Sequence, residues 1–270
     1  MQVALCQMQV WQGQRETNWS TAEGMLEEAA RAGAQVAVLP EMWTCGYDFA
    51  RLDEHAETID GPTRQRLAAA ARSLGLWVVG GSWPLRDAEG VANASLTFAP
   101  DGQLRHVYRK VHLIGLMDED KYLRAGCEAA TFSLDAAEAA VMICYDLRFP
   151  ELARRYAAAG AKVLFVPAEW PRQRAAHWRT LCVARAIENQ AYVVAVNTVG
   201  YNDRDRFAGG SMVVDPWGET VAECNPQPGV VCVDIDLAKV DQVRTAMSVL
   251  RDVRPDVYGS GENHLGITTS

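Results

Sequence analysis

The sequence lacks the features of a secreted, membrane-spanning or nucleic-acid-binding protein. Seven cysteines are scattered along its 270 residues without a Cys-x-x-Cys pair, which argues against a disulfide framework or a zinc knuckle and for a reducing compartment. No apolar run approaches membrane-spanning length, and the N-terminus has no signal-peptide pattern. With a net charge of −8 and no basic cluster, no nucleic acid partner is expected. We therefore expect a cytoplasmic protein without membrane association.

Several short catalytic and cofactor-binding motifs are missing as well. The glycine pairs at 80–81 and 209–210 each precede a serine but fail the G-x-S-x-G pattern, and neither G-x-G-x-x-G nor H-E-x-x-H occurs. The five histidines show no metal-ligand spacing. No cofactor and no metal site are therefore expected.

Apolar runs rich in β-branched residues alternate with helix-like stretches, and no linker or repeat interrupts them. This alternation predicts one α/β domain, which we assign to residues 1–258, followed by a polar tail at 259–270. Asp101-Gly102 predicts a hairpin turn between two of the strands. The predicted strands are 3–10, 35–40, 76–83, 94–100, 104–111, 139–145, 162–168, 192–199, 209–215 and 230–237. The predicted helices are 18–32, 63–74, 150–159, 172–190 and 238–251.

Three polar residues stand where a predicted strand gives way to a turn. Glu41 follows the run QVAVLP, Lys110 ends LRHVYRK, and Cys144 ends AAVMIC. Strand ends of an α/β scaffold are where ligands meet loops. A cysteine between a strand and a helix N-terminus also has backbone N–H groups nearby, which favour a thiolate and suit an oxyanion. The pattern is therefore compatible with nucleophilic chemistry at Cys144.

Each of these residues also has an ordinary structural interpretation. A lone cysteine at a strand end is more often a core residue than a nucleophile. Glu41 is also compatible with a solvated carboxylate in a loop, and Lys110 with a solvent-exposed position at a sheet edge beside Arg109. Spacing along the chain does not determine whether the three side chains meet.

Each of the three residues lies in a longer motif. Residues 144–151 read Cys-Tyr-Asp-Leu-Arg-Phe-Pro-Glu, and Leu-Pro-Glu at 39–41 is followed by Gly-Tyr at 46–47. Residues 108–113 read Tyr-Arg-Lys-Val-His-Leu, ahead of an acidic loop that ends at Gly126. Taken in their order along the chain, the glutamate, lysine and cysteine motifs resemble those of the nitrilase superfamily of carbon–nitrogen hydrolases. The resemblance covers nearly the whole chain.

The resemblance implies both a fold and an assembly. The fold class is α/β, a four-layer α-β-β-α sandwich with two sheets face to face and helices outside. The implied assembly is a homodimer or a higher homo-oligomer, for which the helices that start near Pro150 and Arg172 are the interface candidates.

The resemblance also implies a mechanism for cleaving an amide. Cys144 attacks the substrate carbon, Glu41 takes the thiol proton and later returns it to ammonia, and Lys110 with the Tyr145 N–H stabilises the oxyanion. We expect Lys110 and the helix N-terminus to lower the pKa of the Cys144 thiol. A second glutamate after the lysine is expected to orient it, and Glu119 aligns best. A run of three acids at 118–120 also fits a solvated turn.

Two segments resemble the ω-amidase branch, which hydrolyses the terminal amide of compounds such as 2-oxoglutaramate. They are Ala-Glu-Trp-Pro at 168–171 and His-Trp-Arg-Thr at 177–180. Trp170, Tyr47 and Trp43 are candidates to line the pocket, with core packing as the ordinary interpretation of the tryptophans. Three arginines are candidates to bind a substrate carboxylate by a bidentate pair, namely Arg148, Arg172 and Arg174. Their ordinary interpretation is surface solubility.

Three other interpretations stay open at this stage. The chain fits another member of the superfamily, such as a nitrilase, an N-carbamoyl-amine hydrolase or an amidase for other amides. It also fits a redox sensor built on Cys144, for which Cys127 is the nearest resolving thiol in the sequence. A non-catalytic binding module on the same fold is the third, and the presence of Glu41, Lys110 and Cys144 together argues against it.

Overall fold

Two β-sheets lie face to face at the centre of the structure, a computed structural model. The described residues are 1–135, 137–202 and 204–258, so the tail predicted at 259–270 lies outside them. The strands are β1 (Gln2–Gln7), β2 (Val36–Val38), β3 (Trp77–Val79), β4 (Trp83–Asp87), β5 (Gly90–Phe98), β6 (Leu104–Arg109), β7 (Phe132–Leu134), β8 (Ala137–Val141), β9 (Val163–Ala168), β10 (Tyr192–Asn197), β11 (Val199–Tyr201), β12 (Arg206–Ala208), β13 (Met212–Val214), β14 (Thr220–Glu223) and β15 (Gly229–Asp234).

Helices connect and cover these strands. The α-helices are α1 (Arg15–Arg31), α2 (Leu52–His55), α3 (Pro62–Leu74), α4 (Glu119–Tyr122), α5 (Pro150–Ala158), α6 (Ala175–Asn189), α7 (Leu237–Ala246) and α8 (Pro255–Tyr258). Short 3-10 turns lie at Phe49–Arg51, Gly115–Met117, Cys144–Arg148 and Arg172–Arg174. Pro62 and Pro150 occupy the first positions of α3 and α5, where a missing N–H costs nothing. No helix among the described residues is long and apolar enough to cross a bilayer.

Each sheet has parallel strands at its centre. The first sheet runs β15-β1-β2-β3-β5-β4, and β6 also pairs with β5. Strands β1, β2 and β3 are parallel. The second sheet runs β14-β13-β10-β9-β8-β7, with β8, β9 and β10 parallel. Strands β11 and β12 form a separate antiparallel pair.

Side chains of β1 alternate between two apolar layers. Val3 and Leu5 belong to the core between the sheets, together with residues of β8, β9, α5 and α6. Ala4 and Cys6 belong to a second cluster with Trp19 of α1 and residues of α3. This period of two is what a strand buried on both faces requires. The predicted four-layer α-β-β-α sandwich is confirmed.

Some predicted elements differ in their bounds. The expected strand at 76–83 is wrong as a single element, because the chain turns at Gly81 (φ +63°), where an added Cβ would lie 2.1 Å from Pro40 O. The strand expected at 139–145 ends at Val141, the helix expected at 238–251 ends at Ala246, and the helix expected at 172–190 starts with a 3-10 turn. The Asp101-Gly102 hairpin is confirmed by the bond from Gly102 N to Ala99 O, 2.8 Å.

Carboxyl ends of parallel strands from both sheets meet at one edge of the sandwich. Glu41 follows β2 closely in the first sheet. Cys144 follows β8, Glu169 follows β9, and Asn197 ends β10 in the second sheet. Ligands bind at this edge in open α/β sheets, so the topology itself marks the region for a site.

Candidate active site

A buried lysine between two buried glutamates forms the centre of the site. Lys110 follows β6, and its Nζ lies 2.8 Å from Glu41 Oε1 and 2.9 and 2.8 Å from the two carboxylate oxygens of Glu119. All three side chains are 0 % exposed. Buried charges are stable only when they are paired and hydrogen-bonded, and here one cation serves two anions.

Asn93 and Tyr47 connect the two glutamates. Asn93, on β5, donates its Nδ2 to Glu41 Oε1 (2.9 Å) and to Glu119 Oε1 (3.0 Å). The Tyr47 hydroxyl lies 2.9 Å from Glu41 Oε1 and 3.4 Å from Glu119 Oε1. Burial, with the charges of Glu119 and Glu41, raises the pKa of Tyr47 well above its usual value. The hydroxyl therefore keeps its proton and acts as a donor, which fixes the orientation of Glu41.

The charge on Lys110 is strongly favoured. Burial alone would lower the pKa of Lys110, but the carboxylates of Glu119 and Glu41 outweigh it and hold that pKa above its usual range. Burial raises the pKa of Glu119, and the lysine charge opposes the rise. A cation fixed in this way is suited to stabilise negative charge that develops on a substrate oxygen.

Cys144 begins the 3-10 turn after β8 and has a left-handed backbone, φ +44°. That conformation costs a non-glycine residue roughly 1–2 kcal/mol, so other contacts must hold it. The thiol interacts electrostatically with Glu41 and Lys110 and lies near the backbone N–H of Glu169. Cys144, Glu41 and Lys110 therefore meet in space.

Asp146 provides the contacts that hold this turn. Its Oδ2 accepts from the backbone N of Ile143 (2.9 Å) and from the Tyr108 hydroxyl (2.7 Å). Its Oδ1 accepts from the backbone N of His112 (2.9 Å) and lies 2.8 Å from the ring Nδ1. Asp146 is 0 % exposed, so these bonds have no competition from water. The carboxylate ties the cysteine turn to the segment after Lys110.

The expectation of a lowered thiol pKa is wrong for this site. Burial and the charge of Glu41 raise the pKa of Cys144 well above its usual value, and Lys110 only partly opposes them. A full helix does not start at the cysteine, because α5 begins at Pro150. Cys144 therefore rests as a thiol whose proton faces Glu41.

Three further predicted residues, Tyr145, Arg148 and Trp170, follow strands β8 and β9 of the second sheet. The bonds of the 3-10 turn begin with Asp146 N donating to Ile143 O (3.0 Å), which leaves the N–H of Tyr145 outside them. Trp170 is buried, and the guanidinium of Arg148 lies 4.6 Å from the centre of one of its rings. The side chain of Arg148 is half-buried.

Trp43 and two of the acids do not reach the site. Trp43 stacks on Trp19 at 5.0 Å in the outer cluster and donates its Nε1 to Gly80 O (2.7 Å), so the expectation that it lines the pocket is wrong. Within the acidic run, Asp120 is exposed and Asp118 pairs with Lys121 at 2.8 Å. Glu119 alone of the three contacts Lys110. Arg172 is exposed.

Sequence reasoning missed three polar residues of the site. Asn93 is an amide in the middle of strand β5, where apolar residues alternate with the polar residues Asn93, Ser95 and Thr97, and a buried amide needs partners. Glu169 is an acid directly after an apolar strand, the same signal that identified Glu41. Asn197 accepts from Trp170 N (2.7 Å) and donates to Gly209 O (2.9 Å), and it carries no signal beyond its place at a strand end.

The whole chain was also compared with known proteins. The family model described as carbon-nitrogen hydrolase matches residues 2–245. The chain belongs to the carbon–nitrogen hydrolase family. It is 41 % identical to the 2-oxoglutaramate amidase of Bacillus subtilis (strain 168) over 95 % of this chain and 98 % of that protein. It is 35 % identical to the omega-amidase of Homo sapiens over 95 % of this chain and 96 % of the human protein.

A solved structure extends the likeness to three dimensions. A CN-hydrolase superfamily protein from Xanthomonas campestris, with an arsenic adduct in its active site, matches with a TM-score of 0.89 and 32 % identity. The match covers 96 % of this chain and 99 % of that one. The resemblance to the nitrilase superfamily and its ω-amidase branch is confirmed. Among the described residues of this carbon–nitrogen hydrolase, no three His, Cys, Asp or Glu side chains are grouped to hold a metal ion.

Proposed function

We propose that this carbon–nitrogen hydrolase cleaves the terminal amide of a small carboxylate-bearing amide, of the 2-oxoglutaramate class, to the acid and ammonia. The observation that carries the proposal is the meeting of a thiol, a carboxylate and a lysine cation in one buried cluster. These are the nucleophile, the proton carrier and the oxyanion stabiliser that amide hydrolysis needs. The names of the Bacillus and human relatives support the substrate class.

In the first half-reaction, the Cys144 thiol gives its proton to Glu41 as the sulfur bonds to the amide carbon. Because the pKa of the resting thiol is raised, the transfer occurs together with the attack rather than before it. Lys110 and the Tyr145 N–H stabilise the oxyanion. Glu41 then protonates the nitrogen, the C–N bond breaks, and a thioester remains on Cys144.

In the second half-reaction, water attacks the thioester carbon and Glu41 accepts a proton from it. The same oxyanion partners act again. The C–S bond breaks, the acid leaves, and Glu41 returns the proton to the sulfur. One amide and one water give one acid and one ammonia, and the enzyme regains its starting protonation. Glu119 contributes by holding Lys110 in place.

We propose that Arg148 binds the carboxylate of the substrate, with Trp170 and Tyr47 lining the pocket. Burial and the charge of nearby Arg174 lower the pKa of Arg148, and no carboxylate of the described residues opposes that shift. A half-buried guanidinium without a carboxylate partner is suited to a bidentate pair with an anionic substrate. The ring of Trp170 below it restricts its rotamers.

An ammonia-release panel tests the function. It contains 2-oxoglutaramate, simple aliphatic amides, nitriles and N-carbamoyl amino acids, each with wild type and Cys144→Ala. We expect the fastest turnover with 2-oxoglutaramate and none with the variant. Faster turnover of nitriles or carbamoyl compounds would assign another member of the superfamily, and turnover by Cys144→Ala would exclude the thioester route.

The redox-sensor alternative has little physical support. A sensor thiol is accessible and has a lowered pKa, whereas Cys144 is 5 % exposed and its pKa is raised. Peroxide treatment that forms a reversible disulfide in a chain without amidase turnover would favour the sensor. Alkylation that stops turnover, and that substrate prevents, would favour the enzyme.

We further propose that residues 1–258 form one domain that assembles as a homodimer in the cytoplasm. The bond from the amine of Met1 to Ile235 O (2.9 Å) joins the first residue to the segment between β15 and α7, and the free cysteines suit a reducing compartment. Ile187 on α6 and Trp217 beside it are about half exposed, and such apolar patches are typical of interfaces. Sedimentation should give a dimer that Ile187→Asp dissociates; a monomeric wild type would contradict the proposal.

A further inference from the structure

Glu169 is a buried carboxyl group that the proposed mechanism does not use. It directly follows β9 and is 1 % exposed. Its backbone N–H donates to Glu41 Oε2 at 2.8 Å, so the main chain at this residue belongs to the catalytic cluster. Its side-chain Oε2 is buried and has no hydrogen-bond partner among the described residues. Buried polar atoms without partners are rare, and each needs a reason.

The surroundings of Glu169 determine its charge. Lys110, the cation of the cluster, is already shared by Glu41 and Glu119. Burial and the charges of Glu41 and Asp205 raise the pKa of Glu169 well above its usual value, and Lys110 only partly opposes them. The raised pKa favours the neutral carboxylic acid form of Glu169. In that form it has an O–H group to donate.

The backbone of Glu169, and not its side chain, contacts the residues that break the C–N bond. The thiol of Cys144 contacts the backbone of Glu169, whereas the side-chain carboxyl makes no hydrogen bond to the sulfur, to Glu41 or to Lys110. The next residue, Trp170, lies under Arg148. Glu169 thus adjoins the catalytic cluster through its backbone N–H and adjoins, through the next residue, the tryptophan that packs against the arginine that we assign to the far end of the substrate.

We infer that Glu169 is a specificity-determining residue that donates its O–H to an acceptor oxygen on the acyl chain of the substrate, beyond the amide that is cleaved. The acceptor is a keto or a carboxylate oxygen. Bound substrate then supplies the partner that the buried oxygen lacks. An amide without such an oxygen leaves the donor unsatisfied and binds less well, which is how buried polar groups reject analogues. The inference rests on the proposed function, since it concerns the substrate of the same site.

Two variants with opposite donor properties test the inference. Glu169→Gln keeps an N–H donor at the same length, and Glu169→Met keeps an unbranched chain of similar size without a donor. The substrates are 2-oxoglutaramate, glutaramate, which lacks the keto oxygen, and pentanamide, which lacks both acceptors. For each of the two carboxylate-bearing amides, 2-oxoglutaramate and glutaramate, the readout is its kcat/KM divided by the kcat/KM of pentanamide. Glu23→Met, exposed on α1, is the matched control.

We expect Glu169→Met to lower this ratio by about 10- to 100-fold, as the loss of one hydrogen bond to a charged or polar partner does, and Glu169→Gln to restore most of it. If the ratio falls for 2-oxoglutaramate alone, the keto oxygen is the acceptor of the Glu169 hydrogen bond. If it falls equally for glutaramate, the carboxylate is the acceptor. Equal losses on all three amides would overturn the inference in favour of a structural role. So would a Gln variant as poor as the Met variant.

A binding measurement separates failure of the inference from failure of the proposed function. In the Cys144→Ala background, calorimetry gives the Kd of 2-oxoglutaramate with and without Glu169→Met. A wild type that turns over no amide would end the proposed function, yet a Kd raised about 10- to 100-fold would still support the role of Glu169. Unchanged Kd values would overturn the inference. Thermal unfolding checks folding, and since Met removes an unpartnered polar atom, no loss of Tm is expected.

Discussion

Replacing Asp146 by asparagine tests how the strained turn at Cys144 is held. The carboxylate accepts four hydrogen bonds, two on each oxygen. An asparagine side chain has the same shape but only one accepting oxygen. Whichever way the amide is oriented, its NH₂ group faces a backbone N–H, that of His112 or that of Ile143, and one donor–donor contact replaces a hydrogen bond.

The cost follows from that geometry. A hydrogen bond to a charged acceptor contributes about 1.5–3 kcal/mol, and a buried N–H left without a partner costs about 1–3 kcal/mol. The other partner on the affected oxygen, the Tyr108 hydroxyl or the His112 ring, can reverse its role and accept. We therefore expect Asp146→Asn to lower the free energy of unfolding by roughly 3–5 kcal/mol.

The same change should slow turnover. Without its anchor, the turn can leave the left-handed conformation of Cys144 (φ +44°). A sulfur displaced by about 1 Å from its attack position loses on the order of 100-fold in rate. We expect kcat with 2-oxoglutaramate to fall by about that factor, with a smaller change in KM.

Urea unfolding followed by circular dichroism and steady-state ammonia release measure the two effects. Tyr108→Phe is the matched control, since it removes one of the four bonds and leaves the charge. It should cost about half as much free energy of unfolding as Asp146→Asn, in line with the energy of one bond. A loss below about 0.5 kcal/mol for Asp146→Asn, the range of an ordinary surface substitution, together with unchanged kcat, would refute the reasoning.

Three further substitutions have calculable outcomes. Glu119→Gln removes one of the two charges that hold Lys110, and we expect ammonia release to fall roughly 10- to 100-fold, by analogy with the loss of a charge-assisted bond. Burial lowers the pKa of His106 to about 4, while a histidine in the unfolded chain titrates near 6.5. As pH falls from about 6.5 to about 4 the unfolded state therefore binds the proton first, and roughly 3 kcal/mol of stability is lost; His106→Phe should flatten this part of the pH–stability curve. Gly81→Ala places a Cβ 2.1 Å from a backbone oxygen at φ +63°, and calorimetry should show a loss of roughly 2–4 kcal/mol.

Each of these predictions has a contradicting result, and two of them have a matched control. Asp120→Asn, in the same acidic run but exposed, should leave turnover unchanged, and an equal loss in both variants would remove the special role of Glu119. The His106 prediction is wrong if the variant loses as much stability in acid as wild type. Gly24→Ala, with open space around the added Cβ, should stabilise α1 by up to about 1 kcal/mol, and a neutral Gly81→Ala would contradict the packing argument.

The sequence by itself determined the elements and the candidates. Runs such as VLFVPA and YVVAV are apolar, which is typical of strands buried on both faces, so an α/β domain was predictable. The four-layer arrangement was predicted from the family resemblance. Pro150 and the Asp101-Gly102 pair act locally through their backbone preferences, and the helix start at residue 150 and the hairpin turn were predicted correctly. Glu41, Lys110 and Cys144 were recognisable because each lies at a strand end within a motif.

Only the tertiary structure decided how those residues act on one another. The family resemblance selected Glu119, but burial and the distance to other charges are properties of the packed molecule, so only the packed structure decides that it reaches Lys110 while Asp120 stays in solvent. For the same reason the direction of the Cys144 pKa shift was predicted wrongly, since desolvation and the charge of Glu41 arise only when β2 and β8 lie together. Glu169 follows an apolar strand in the sequence as Glu41 does, but only the removal of water around it by folding favours the neutral, hydrogen-bond-donating form of its carboxyl group.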